Sequence, residues 1–300
     1  RRLDNNNLIW HLDNINNYGQ ILTFSLGNNL VSNYSYDNNY LLTTIETGNI
    51  QKYMYYFDPA WQRPVYRYNQ FGYGEDFQYD VDGKKLNRLS KVIVAGEPAK
   101  NLEMQYAING NMIYKKGVGS YQYSLIKPHA VSTITNIEQY QPINEQTIFW
   151  NTFNKAQTLT EGEYRMELNY GINQQRIKTS LYYQNQLQKT KYFADNYEQV
   201  LEGNSTKHLY YIDGPYGLVA ILLKDNQHPS GIMYYIHKDH LGSITEITDN
   251  TGALVQRFCY DAWGGREMLI ENTGNGKPLF DRGYTGHEHL DQFSLINMNG

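Results

Sequence analysis

The sequence predicts an all-β protein, built as antiparallel hairpin repeats in a curved, extended sheet. Three observations carry this expectation. Tyr, Val, Ile and Phe alternate with polar residues along most of the chain, long amphipathic helical stretches are missing, and one short phrase recurs.

The phrase is an apolar or aromatic residue, any residue, a second aromatic or apolar residue, then Asp or another turn-former, with Gly or an aromatic three positions later. It reads YSYDNNY at Tyr36 and Asp37, YFDPAW at Phe57 and Asp58, and YRYNQFG at Tyr68, Asn69 and Gly72. It returns as FQYDVDG at Tyr79, Asp80 and Gly83, MQYAING at Tyr106, and FCYDAWG at Tyr260, Asp261 and Gly264. Residues two apart in a strand share a face, so the aromatic positions form rungs, and Tyr36, Phe57, Tyr68, Tyr79 and Tyr106 are expected to be equivalent rungs on a shared interior. Asp or Asn at the strand end can accept backbone N–H groups of the turn that follows, and Gly can take a left-handed conformation there. Asp58, Asn69 and Asp80 lie 11 residues apart, the length of one short strand and its turn. Later intervals are irregular, which describes a meander with variable loops instead of a strict solenoid. Residues 117–160 are the least repetitive part, and Pro128 and Pro142 place turns, edges or bulges there.

Composition narrows the function classes. The chain has 300 residues, 29 of them Tyr, about three times the ordinary share of ~3%. Tyr can bury its ring and still satisfy its hydroxyl at a water boundary, so partly wet sheet faces and an interior poor in aliphatics are expected. A formal charge of −4 and no large block of Lys and Arg leave no electrostatic footprint for nucleic acid. The single cysteine, Cys259, excludes an internal disulfide framework and a Cys-rich zinc site. No apolar run approaches the ~18 residues of a membrane span. The opening RRLDNNNLIW carries neither an initiator Met nor a signal peptide's apolar region, and reads as an internal piece.

The richest stretch is YIHKDHLGSITEITDNTGALVQRFCYDAWGG. A hairpin through 249–252 is expected within it. Residue types alone leave three readings of its start. His237, Asp239 and His240 could ligate a metal. Ser243 with His240 and Asp239 could form a nucleophile and base, although no nucleophile elbow surrounds Ser243. Or Asp239 caps a turn, His240 bonds backbone or a ring, Leu241 anchors the turn in the core and Gly242 permits the bend. The same choice applies at GHEHLD, where His287, Glu288, His289 and Asp291 could hold a cation. Phosphate-loop spacing is absent at 264–267 and 274–277. A glycosidase pair of carboxylates stays open, because spacing alone cannot pair them.

This stretch, followed by GYTGHEHLDQFSLINMNG, resembles the core segment of Rhs proteins, and the recurring phrases resemble their tyrosine-aspartate repeats. Asp239, His240, Leu241, Gly242 and Ser243 match the family's D-H-L-G-S turn. Tyr260, Asp261 and Gly264 match its Y-D-x-x-G element, and Gly283, Thr285, Gly286 and Glu288 its G-[FY]-T-G-x-E element. The resemblance implies a repeat region at 1–231 and a core segment at 232–300 continuous with the same sheet. It implies a partial β-shell, secreted or at a bacterial cell surface, that scaffolds or encapsulates a C-terminal toxin or other polypeptide cargo. The family's self-cleavage element would follow Gly300, so no catalytic residue, metal or cofactor is expected. Trp61, Trp150 and Trp263 as sugar-stacking platforms describe the rival, a carbohydrate-binding surface module. Sheet edges left unpaired would favour self-association.

Overall fold

The computed structural model describes residues 8–80, 87–136, 145–214 and 216–298, and these residues are almost wholly strand and turn. The first sheet runs β1 (Trp10–Ile15), β2 (Ile21–Leu26), β3 (Val31–Tyr36), β4 (Leu42–Thr47), β5 (Gln51–Phe57) and β6 (Pro64–Asn69). It continues through β7 (Gly74–Tyr79), β8 (Leu89–Val94), β9 (Leu102–Tyr106), β10 (Met112–Lys115), β11 (Gly119–Tyr123) and β12 (Val131–Thr135). The second runs β13 (Gln146–Trp150), β14 (Ala156–Glu161), β15 (Tyr164–Tyr170), β16 (Arg176–Tyr183), β17 (Gln186–Ala194) and β18 (Tyr197–Glu202). Then follow β19 (Ser205–Gly214), β20 (Gly217–Asp225), β21 (Ile232–Lys238), β22 (Ile244–Thr248), β23 (Leu254–Tyr260) and β24 (Arg266–Glu271). A small third sheet pairs β25 (Glu288–Leu290) with β26 (Leu295–Asn297). In each large sheet the spatial order equals the chain order, and neither sheet closes on itself. Among the described residues helix is confined to single 3-10 turns at Pro98–Lys100, Tyr284–Gly286 and Asp291–Phe293.

Such a meander puts every turn that follows an odd-numbered strand at one rim of its sheet and every turn after an even-numbered strand at the other. This corrects the repeat read from the sequence. Asp37, Asp58, Asp80 and Asp261 follow odd strands, whereas Asn69 ends β6 and lies at the opposite rim. The same-rim interval is therefore two strands and two turns, 21 residues from Asp37 to Asp58 and 22 from Asp58 to Asp80. Tyr68 is displaced with Asn69. It pairs with Gly74 on one face, while Tyr55, Phe57, Phe77 and Tyr79 follow the Arg67–Glu75 face. Tyr36, Phe57, Tyr68, Tyr79 and Tyr106 are half-buried, in contrast to Tyr260 at 4% exposure. Gly83 and Pro142 lie outside the described residues.

The chain divides into two compact units. One comprises 35–45 and 52–141. Its buried face carries Val92, Val94 and Met104 with Tyr53 and Tyr55 stacked at 6.1 Å, and the buried Arg67 donates to Glu75 Oε2 at 2.6 Å.

The other unit comprises 1–34, 46–51 and 142–300. One face of its second sheet carries Val200, Leu209, Tyr211, Ile221, Leu223, Ile236, Ile247, Phe258 and Tyr260, closed over by Phe280. Further along, Leu159, Met166, Leu168 and Leu181 are covered by Leu290 and Phe293. The opposite face, at β20 to β23, is also covered. Ile9 and Leu26 pack on Ala220 and Tyr235, Asn28 donates to Thr248 Oγ1 at 3.0 Å, and Gln51 donates to Thr245 Oγ1 at 2.7 Å. The expected wet, aliphatic-poor interior is thus corrected for this unit. Its inner strands are dry on both sides, because the aliphatic residues the chain does have are concentrated between Val200 and Phe258.

Candidate functional site

The turns repeat one hydrogen-bond pattern. Asp239 Oδ1 accepts the N–H groups of Leu241 at 2.9 Å and Ser243 at 2.8 Å, while Gly242 N–H reaches the Asp239 carbonyl at 3.1 Å. Asp261 Oδ1 does the same for Trp263 at 2.7 Å and Gly265 at 2.8 Å, and Asp37 Oδ1 for Asn39 and Leu41. Asp58 accepts from Ala60 and Trp61, Asn69 from Phe71, and Asp80 from Arg88. Gly242 at φ 85° and Gly264 at φ 87° occupy the left-handed position that completes each turn. A carboxylate oxygen held this way closes the loop by accepting two of its N–H groups.

The tyrosine before each turn reaches backwards. Tyr79 Oη donates to the Pro64 carbonyl, Tyr106 to Leu89, Tyr123 to Met112, Tyr170 to Ala156 and Tyr260 to Ile244, all at 2.7–2.8 Å. Every donor is the last residue of an odd strand, and every acceptor is the first residue of the strand before it. Each tyrosine therefore staples the open end of one hairpin, and at Tyr79 and Tyr260 the Asp that follows it accepts N–H groups of the next turn. Phe57 occupies a staple position without a hydroxyl.

The four candidate metal or nucleophile residues, His237, Asp239, His240 and Ser243, have different surroundings. His237 is buried on β21, its Nε2 is 3.0 Å from Thr248 Oγ1, and burial pushes its imidazole down to about 4, so it is neutral at pH 7. Asp239 is spent on its turn and His240 is half-buried at the tip. Leu241 is a correction. Expected in the core, it is 45% exposed, because the second residue after the turn Asp projects off the tip. Ser243 is buried and its Oγ accepts the Thr285 N–H at 3.1 Å. Among the described residues no group of three His, Cys, Asp or Glu is arranged to hold a metal.

That contact leads to the C-terminal strap, residues 279–298, which lies over the second sheet. Ile244 N–H donates to the Gly283 carbonyl at 3.0 Å, and Tyr284 packs on Tyr260 with centroids 5.9 Å apart. A Cβ on Gly283 would stand 2.8 Å from Tyr260 Oη, and one on Gly264 2.7 Å from Ile296 and Tyr284, so both glycines mark close approaches. Thr285 and Gly286 turn through positive φ, and Thr285 Oγ1 lies 2.7 Å from His287 Nδ1. His289 Nε2 accepts the Tyr284 N–H at 3.0 Å, and burial, aided by Arg266, lowers its imidazole to about 4. Asp291 accepts from Arg266 at 2.9 Å.

Beneath the strap is a buried ionic cluster. Lys191 on β17 lies 2.5 Å from Glu288, 3.0 Å from Glu198 and 3.3 Å from Asp281. Arg176 lies 2.5 Å from Glu288, and Arg282 2.6 Å from Glu198. Burial alone would lower the Lys191 ammonium, but Glu288, Asp281 and Glu198 outweigh it and hold it well above its ordinary value. Burial likewise works against Asp281 and Glu198. Lys191 and Lys189 bring Asp281 down to about 2, and Lys191 and Arg282 lower Glu198. Sequence reading missed this cluster apart from Glu288. Its one available signal was the in-phase Lys189 and Lys191 on the same strand face as Phe193.

No protein-family model and no curated protein sequence matches the chain. Among solved structures, TcdB2-TccC3-TEV matches over 97% of this chain at 17% identity with a TM-score of 0.77. TcdB2-TccC3-Cdc42 matches over 93% at 17% identity and 0.72, and TcdB2-TccC3 without hypervariable C-terminal region over 93% at 16% and 0.70. This chain spans 17% of the length of each. Two chain-ordered antiparallel meanders of tyrosine-stapled hairpins therefore have the fold of a segment of TcdB2-TccC3.

Proposed function

We propose that this chain is a non-catalytic wall segment of an Rhs-type, TcdB2-TccC3-like secreted bacterial toxin component, and that the wall scaffolds or encloses a C-terminal polypeptide cargo. The observation that carries this reading is the fold likeness across 97% of the chain. The chemistry agrees with it. The motif residues are spent on building: Asp239 and Asp261 on turns, Tyr260 on a staple, Ser243, Thr285 and Glu288 on seating the strap. The test is protection. With this segment joined to the rest of its wall and to a C-terminal reporter, the reporter should resist trypsin while the wall is folded and be cut once urea opens it. A reporter cut at the same rate in both conditions refutes the reading.

A second reading keeps one observation of its own. Trp61, Trp150 and Trp263 are all exposed, as a sugar-stacking platform requires. A saturable glycan-array signal lost in Trp150→Ala would favour it over the wall.

A further inference from the structure

One row of polar side chains crosses the middle of the second sheet. Lys178 on β16 pairs with Tyr192 on β17, Tyr192 with Gln199 on β18, Gln199 with His208 on β19, and His208 with Lys224 on β20. Directly paired residues share a face, so the five stand in line, and Asn169 on β15, paired with Lys178, extends the line. At a strand spacing of about 4.8 Å the five span about 19 Å. Their chain neighbours Thr179, Lys191, Leu209 and Leu223 are buried on the other face, the one that carries the core and the ionic cluster.

The row is open to solvent. Asn169 and Tyr192 are exposed, and Lys178, Gln199, His208 and Lys224 are half-buried. In a chain of net charge −4 it holds two lysines and no carboxylate. Neither lysine is ion-paired with a described residue, and Glu167 on the same face is already paired with Arg165. Lys178 Nζ lies 5.7 Å from the Tyr192 ring centroid. Tyr197 Oη is 2.7 Å from His208 Nδ1 and its ring packs on Tyr210 at 5.1 Å, which fixes the imidazole and leaves Nε2 for a ligand. Scattered surface lysines are ordinary, but scatter does not produce an unbroken line of hydrogen-bonding groups with a cation near each end.

We propose that this row binds a linear acidic polysaccharide, a chain of uronic-acid units lying across the strands. Lys178 and Lys224 take carboxylates, Gln199 and His208 take hydroxyls, and the Tyr192 ring takes the face of a sugar. Period selects this ligand. A 1,4-linked chain of pyranose rings advances by about one strand spacing per ring, so about four rings fill the row. An acidic peptide in β conformation repeats its same-side side chains every ~6.7 Å and falls out of step. The site requires only that this face stay open, so it rests neither on the enclosure of a cargo nor on Trp61, Trp150 and Trp263.

Titration calorimetry of the 300-residue chain with tetragalacturonate at low salt tests this. Saturable one-to-one binding is expected, weakened about tenfold in Lys178→Ser/Lys224→Ser and about threefold in Gln199→Ala, and unchanged in Trp150→Ala. The altered side chains reach solvent, so circular dichroism and melting should match the parent and exclude misfolding. The site is refuted if the parent gives no saturable signal or if the double lysine variant binds as tightly as the parent. It is equally refuted if tetra-aspartate binds as well as tetragalacturonate, which would make the row a general polyanion surface, or if neutral maltotetraose does, which would leave the lysines without a role. Cargo protection is a separate readout, so its loss would reject the wall reading alone.

Discussion

Tyr260 and Asp261 stand side by side and pull in opposite directions along the chain, one back to Ile244 and the other forward to Gly265. Removing only the hydroxyl, in Tyr260→Phe, should cost about 1 kcal/mol, and removing the buried ring, in Tyr260→Ala, about 3–4 kcal/mol, read from urea unfolding. Asp261→Ala should cost about 1 kcal/mol by the same measurement, since two turn N–H groups lose their acceptor. The pairing of Tyr with Asp was legible in the sequence as a recurring phrase. Its backward half was not, because the acceptor is a main-chain carbonyl 16 residues earlier, which no residue type marks. The face of Tyr68 was misread for a related reason: an interval of one strand and one turn looks like a repeat but carries the chain to the other rim.

The strap belongs to a larger scale, because its energetics depend on three elements meeting. Lys191→Met would leave Glu288 and Glu198 buried with a counter-charge missing and should destabilise by about 3–5 kcal/mol at pH 7. Acid should act on His237 of β21 and on Asp281 of the cluster in a defined order. His237 is lowered to about 4 in the folded chain, so the unfolded state binds the extra proton first, and stability falls as pH drops from about 6.5 towards 4. Asp281, lowered to about 2, contributes stability that is present above the ordinary carboxylate value and is lost as pH falls from about 4 towards 2. Melting temperature against pH should show both windows; His289, also lowered to about 4, shares the upper one, so His237→Gln should shrink it and His237→Gln/His289→Gln should flatten it. Gly264→Ala meets Ile296 and Tyr284 at 2.7 Å from a backbone at φ 87°, and should loosen the strap by about 1–3 kcal/mol. The G-Y-T-G-x-E element was visible as a motif, whereas its partners were not. Lys191 and Glu288 are 97 positions apart, and charge pairing at that distance leaves no local pattern.

At the scale of the whole molecule, hairpin grammar sufficed to predict antiparallel β with minimal helix, since within each sheet of the described residues the strands pair in chain order. Far-UV circular dichroism should show a β spectrum with helix well below the roughly 30% of an average domain. Elemental analysis after dialysis should find no stoichiometric zinc or calcium. Retained metal lost in His287→Ala would revive the cation reading of 286–291. The dry core was not foreseen, because average composition hides where the few aliphatic residues are gathered.

Chain order equal to spatial order also fixes a sequence of events in time. A strand emerging from a ribosome or an export channel needs only the strand made just before it, so the sheets can be laid down from N to C terminus without waiting for distant segments. The packing of Ile9, Leu26, Asn28 and Gln51 on β20 to β23 must wait for later strands, and so must the ionic cluster under the strap. Arg176, Lys191 and Glu198 are made about a hundred residues before Asp281 and Glu288 and stay hydrated until those carboxylates arrive. Strap seating thus comes after both sheets are laid down, a clasp fastened only once Asp281 and Glu288 have been made. A ribosome-stalled chain halted before residue 279 should show native strand protection in hydrogen exchange, with β16 to β18 left loose.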